Sequence, residues 1–477
     1  MFEFNSKNGD IGNVDGNLIC LPALPLTSSL LHFPVSETEI NQWVYSDNQA
    51  KIIAHGWGIW AGLTSFFGSV DGTPTRAFET WNTTNNMLYQ IKASSGVQSQ
   101  LLKNKATVGV LEDEGLKLSL PNQFKNSAHA QKSTKEVKVV GGADTNIFVS
   151  VAYNPPAAKH TIDNRLLLQS TLKQYLAQGY TDIPNFPSNA ITVKPVYKLI
   201  TQDKLTNGIY IFPGWPGTPS PAKAFPESDW NQCVYVDINA TQSSANSNDP
   251  NCNNRTDENT FALNDFIYEK IDQDNAEYLT KQLSLGDKNV KAGDYAILIG
   301  MHVTSREVTR WTWQTFWWSA NVDTPYLPSS EAIAAARPDI LDSAAKHYAM
   351  ALTYSMVAPA QPITGGSSIG TSVIGYNPHL EAGFDPDTFQ IVRSINNMVN
   401  GKSTNTVNAY GVQTNCMTCH NLAQFDPNKT YNSDNRETPY GTDYYMATDD
   451  DEFSGKLRLD FAWSLLASME TDDQPAK

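Results

Sequence analysis

Five segments between residues 189 and 320 (AITVKPVYKLI, GIYIFPG, CVYVDIN, DYAILIGMHVTS and WTWQTFWWS) are dense in β-branched and aromatic side chains. Residues of this kind fit a pleated, half-buried surface, so the segments predict strands and commit the centre of the chain to a sheet. Two long polar connections lie between them, FPGWPGTPSPAKAFPESDW and NATQSSANSNDPNCNNRTDENT, and both read as surface excursions. Outside the strand-rich centre the pattern turns helical. SETEINQWVYSDNQAKIIAHGWGIWAGLTSFF predicts a helix with Ser36 as N-cap. TPTRAFETWNTTNNML predicts another, with Pro74 in its first turn. In DNRLLLQSTLKQYLAQG, Leu168, Leu172 and Tyr175 share a helical face that Gly179 terminates. Residues 136–154 predict two strands around a Gly-Gly turn. From 329 onward SSEAIAAARPDILDSAAKHYAMALTYSM reads as helix, then a linker (APAQPITGGSSIGTS). SGKLRLDFAWSLLASM closes the pattern as an amphipathic helix with Leu459, Trp463 and Leu466 on one side. There is no internal repeat.

These readings give an α+β chain in three parts. A helical N-terminal region (1–130) packs on a core, a β-rich domain follows (131–328), and the last part (329–477) is helical. At 477 residues the chain exceeds what one core usually organises. Its 11 Trp, 20 Tyr and 19 Phe supply large faces for burial, or for a flat cofactor. With 34 basic and 49 acidic residues the net charge is −15, which argues against nucleic acid and anionic membrane as main partners. The same charge favours a basic partner protein. No apolar run approaches the about 20 residues that span a bilayer.

Cysteines are sparse, five in the chain, yet two fall within NCMTCH at 415–420. Cys416 and Cys419 at Cys-x-x-Cys spacing, with His420 adjoining, suit covalent haem attachment. Two thiols add to the two vinyl groups, and the histidine reaches the iron from the same loop. A structural zinc would need four Cys/His ligands, and no second pair of the right spacing exists. A redox dithiol would open a helix after a strand early in its domain, whereas this motif comes late. A plain structural loop remains the remaining alternative. With haem c, the last part of the chain becomes a cytochrome c-like region. The protein is then expected in the periplasm or outside the cell, its leader not being in this sequence. An oxidising compartment makes Cys233–Cys252 a disulfide candidate and leaves Cys20 as a buried thiol.

Four stretches occur in order: AFETW at 77–81, ITVKPVYKLI at 191–200, GMHVTSREVTRWTWQTFWW at 300–318 and NCMTCH at 415–420. Together they resemble a sparsely characterised group of bacterial exported proteins with one c-type haem. The resemblance implies a haem c protein without implying a reaction. This chain carries Trp317-Trp318 where the group often has an acidic residue and a histidine.

For the sixth iron position the candidates are His302 at the end of DYAILIGMHV and Met446 in TDYYMATDDDE, with Met469, His55 and His347 behind them. Strand alternation puts His302 on one face with Ala296, Leu298 and Gly300, leaving room for a ring. Trp311, Trp313 and Phe316 then serve as aromatic walls. A core histidine satisfied by hydrogen bonds is the competing interpretation of His302. Roughly 350 residues exceed what a small cytochrome domain uses. Three functions therefore stay open: electron transfer with a redox partner protein, a haem-dependent oxidoreductase with an open distal site, and a binding or assembly protein with a structural haem. The oligomeric state is not legible.

Overall fold

The computed structural model describes residues 32–70, 73–94, 147–283, 290–389, 391, 395–399, 402–429, 431, 441, 444–467 and 469. Cys20 and the predicted strand at 136–146 lie outside the described residues.

The centre is an eight-stranded, wholly antiparallel sheet. In chain order its strands are β1 (Asn82–Thr83), β2 (Phe148–Val149), β3 (Ala152–Tyr153), β4 (Ile191–Ile200), β5 (Tyr268–Lys270), β6 (Tyr295–Ser305), β7 (Thr312–Trp318) and β8 (Tyr348–Thr353). The sheet runs β8-β7-β6-β4-β3-β1, with β5 against β6 and β2 against β4. The long strands β4, β6 and β7 are those that β-branched and aromatic content predicts. Strand β8 is a correction. AKHYAMALT reads as helix by composition, but the helix ends at Lys346 and residues 348–353 pair with β7. Ala and Met are good helix formers, yet the aromatic edge of β7 offers burial that propensity does not outweigh.

Alternation gives the sheet two different faces. On one, Phe316, Met350 and Leu352 meet the helix α2 (Gln49–Thr64), where Trp60 stacks on Phe316 at 4.3 Å. Gly56 of α2 sits so close that an added Cβ would lie 2.7 Å from Leu352 and 2.8 Å from Met350. Preceding it is α1 (Glu37–Tyr45), capped by Ser36 as predicted. The buried His55 of α2 bonds Tyr354 through Nδ1 and Glu307 through Nε2, tying this layer to the β6–β7 turn. The opposite face carries Lys194, His302, Trp313, Thr315 and Trp317, and receives the C-terminal part of the chain.

Other expectations shift in detail. TPTRAFETW forms a strand (Thr73–Arg76) and a short 3-10 turn, and the helix begins only at Thr84. DNRLLLQSTLKQYLAQG splits at Leu166 and Leu167. One helix ends at Asp163, the next runs Gln169–Ala177, and Gly179 adopts φ +85°. Within 329–477 the described helices are short: Glu331–Ala335, Ser343–Lys346, Cys416–Asn421 and Trp463–Ala467. Strands from all three predicted parts join the one sheet, so the three parts share cores. The Ser/Asn-rich loop is closed by a Cys233–Cys252 disulfide, with Cα atoms 4.9 Å apart. No helix among the described residues is long and apolar enough to cross a membrane.

Candidate functional site

The Cys-x-x-Cys-His stretch forms a short helix, α3 (Cys416–Asn421). Asn415 starts it: its Oδ1 accepts from the Thr418 amide at 3.1 Å, and its Nδ2 donates to the carbonyls of Ser355 and Val373. Positions 416, 419 and 420 fall on one helical face by the i, i+3, i+4 rule. Met417, Thr418 and Asn421 are buried on the other. Thr418 donates to the Tyr444 carbonyl and Asn421 to the Met446 carbonyl, so the back of α3 is bolted to residues 444–446. Cys416, Cys419 and His420 are only partly buried, and neither cysteine is in a disulfide.

The imidazole of His420 is held in one tautomer. Its Nδ1 donates to the Phe461 carbonyl at 3.0 Å, and Trp313 and Trp463 flank the ring at 4.3 and 5.3 Å. Burial pushes its pKa down to about 3, the Phe461 bond opposing and the nearby His302 and Lys194 acting in the same direction as burial. The ring is therefore neutral, with its proton on Nδ1 and a lone pair on Nε2. This is the form in which an imidazole ligates a metal, its other nitrogen oriented by a carbonyl.

Across from α3 the sheet presents a charged set. Lys194 and His302 are direct cross-strand partners on β4 and β6. His302 Nε2 bonds Glu381 Oε1 at 3.0 Å, and the other carboxylate oxygen accepts from the Asn377 amide at 2.7 Å. The His302 Nδ1 is buried with no hydrogen-bond partner. Burial pulls the pKa of Lys194 below the ordinary lysine range, while Glu381 and Cys419 act against that shift. Lys194, through Cys419 and His420, and His302, through His420, thus couple electrostatically to the motif helix. The segment YNPHLEAG that supplies Glu381 is anchored by Asn377, whose Nδ2 donates to Thr315 Oγ1 and the Phe316 carbonyl. It leans on Gly300, where a Cβ would lie 2.8 Å from Asn377 Nδ2. A second buried set lies alongside: Lys198 bonds Glu227 at 2.8 Å, and His379 bonds the same carboxylate.

The structure sorts the aromatic candidates. Trp313 touches His420. Trp311 belongs to the same core but points to Phe186 and bonds Asp460. Phe316 is a correction: it lies an odd number of positions from both Trp313 and Trp317, so alternation turns it to the opposite face, onto Trp60. A bulge between Leu298 and Gly300 likewise breaks the alternation. Leu298 opposes Tyr197 and Gly300 opposes Val196, so Ala296 and Leu298 face away from His302. Met446 lies behind α3, 1% exposed, its sulfur accepting from the Tyr444 hydroxyl. Met469 is buried in the same core, His55 is engaged on the far face of the sheet, and His347 stacks on Trp318. Sequence reasoning missed Lys194, Glu381 and Asp460. Lys194 had a signal, a lysine inside an otherwise apolar strand.

Among the described residues, no three His, Cys, Asp or Glu side chains converge as ligands of a metal ion. Comparison of the chain with protein-family models, with curated proteins and with solved structures finds no match.

Proposed function

We propose that this protein is an exported monohaem c-type cytochrome that transfers electrons, with Cys416 and Cys419 holding the haem covalently and His420 as the proximal iron ligand. The observation that carries the reading is the shared face of these three side chains, with the His420 proton committed to the Phe461 carbonyl and Nε2 left to ligate. Bound there, the haem would supply one-electron chemistry. The protein's part is to orient the imidazole between Trp313 and Trp463, with its Nδ1 proton held by the Phe461 carbonyl. In this reading residues 329–477 form the haem-binding region, with the sheet face that carries Trp313 behind the motif. The net charge of −15 suits a basic redox partner, and the disulfide suits an oxidising compartment outside the cytoplasm.

The test is direct. Protein expressed with export should keep haem through denaturing electrophoresis and stain for peroxidase activity. Cys416→Ala with Cys419→Ala should abolish the stain, and His420→Ala should alter the visible spectrum. A colourless wild-type band would end the reading.

A second reading, a haem-dependent oxidoreductase acting on a small molecule, is favoured by Lys194, His302 and Glu381 beside the motif. Because Glu381 holds His302 Nε2, His302 is suited to hydrogen bonding or proton transfer as well as to ligation. His302→Ala separates the roles. Conversion of a low-spin spectrum to high-spin assigns ligation and electron transfer. A high-spin wild type that binds carbon monoxide or cyanide, unchanged in spin state by the substitution, assigns the oxidoreductase.

A further inference from the structure

The turn after Leu459 contains two successive residues in left-handed backbone, Asp460 at φ +45° and Phe461 at φ +65°. Asp tolerates this region, because its short side chain finds local partners. A bulky residue such as Phe does not, so its conformation has to be imposed. What imposes it is visible on both sides. The buried Asp460 carboxylate accepts three bonds: from the Phe186 amide at 2.9 Å, Arg306 Nε at 3.1 Å and Trp311 Nε1 at 3.3 Å. The Phe461 ring is 5% exposed in the motif core, 6.3 Å from Trp313. The Leu459 amide is fixed to the Ala423 carbonyl, just beyond α3.

The donors come from distant parts of the chain: Phe186 before β4, and Arg306 and Trp311 from the turn between β6 and β7. All converge on one carboxylate, and the carbonyl of the next residue is the one that meets His420 Nδ1. We infer that Asp460 is a positioning residue: clamped by Arg306, Trp311 and the Phe186 amide, it forces the left-handed turn that aims the Phe461 carbonyl at His420. It never touches the iron. It fixes how strongly the imidazole N–H is bound, and through that how electron-rich the ligand is.

This inference rests on the haem reading and predicts a graded result. Asp460→Ala removes the clamp. The Phe461 carbonyl should swing away, the midpoint potential of the haem should rise, and the His420 ring N–H should exchange faster with deuterated solvent by NMR. Asp460→Asn keeps the left-handed preference and an acceptor oxygen, so both readouts should fall between wild type and Asp460→Ala. It also serves if the alanine variant fails to fold. A merely structural role would lower the melting temperature without moving either readout. Haem stain present in every variant, with potential and exchange unchanged in Asp460→Asn and in any folded Asp460→Ala, overturns the clamp alone. A wild type without covalent haem overturns the clamp together with the haem reading.

Discussion

At the scale of single residues the pH response is set by histidines that have given up their charge. His160 donates from Nε2 to the Pro184 carbonyl at 2.9 Å, and Asn164 donates to its Nδ1. His347 stacks flat on Trp318, and its Nδ1 is buried without a hydrogen-bond partner. Burial is the largest cause that lowers both below the ordinary imidazole value of 6.5, against opposing carboxylates. The unfolded chain therefore takes up protons first as pH falls. Stability is complete above about pH 6.5 and declines below it. The urea midpoint should be lower at pH 5.5 than at pH 7.5, and the combined His160→Gln and His347→Gln variant should show a smaller drop. A wild-type midpoint that holds or rises on acidification contradicts this. Legibility at this scale follows contact distance. Cys416, Cys419 and His420 declare themselves because they are adjacent in sequence. Glu381 and Asp460 do not, since their partners His302 and Arg306 lie 79 and 154 positions away.

At the scale of elements, the strands with strong β-branched and aromatic content were readable, and the helix caps Ser36 and Gly179 stand where local chemistry puts them. Facing was readable only as far as the first irregularity. The bulge before Gly300 reverses which side chains of β6 accompany His302, and nothing in local sequence marks it except the glycine. That glycine is needed for space. A Cβ there meets Asn377 Nδ2 at 2.8 Å, its Oδ1 at 3.1 Å and the Phe316 carbonyl at 3.2 Å. Gly300→Ala should therefore cost about 1–3 kcal/mol, the usual penalty of overpacking. It should also displace the segment that delivers Glu381 to His302. Chemical denaturation checks the first expectation. The second is checked by the His302 ring resonances, which should shift in the folded variant. A neutral substitution on both counts would show that Asn377 yields without consequence.

At the scale of the whole molecule, division into three parts by composition does not match how the chain closes. β1 comes from the first part and β8 from the last, and both complete a sheet whose long strands lie between them. The β1 pairings join positions about 70 residues apart and the β8 pairings positions 30–40 apart, which no window of local pattern can see. The order of these pieces along the chain also has a meaning in time. The wall that faces α3 is complete in sequence before the motif is made, whereas the Phe461 carbonyl and Trp463 follow it by about forty residues. A chain emerging from its N-terminus thus presents Cys416 and Cys419 before it can cover His420. On the haem reading proposed above, the last segment would act as a latch that shuts over His420 after the two thiols have been presented. Truncation after Gly455 should leave thioether attachment detectable by haem stain, yet release the His420 ring N–H to exchange. If the truncated chain takes up no haem, the tail is needed for loading rather than for closing.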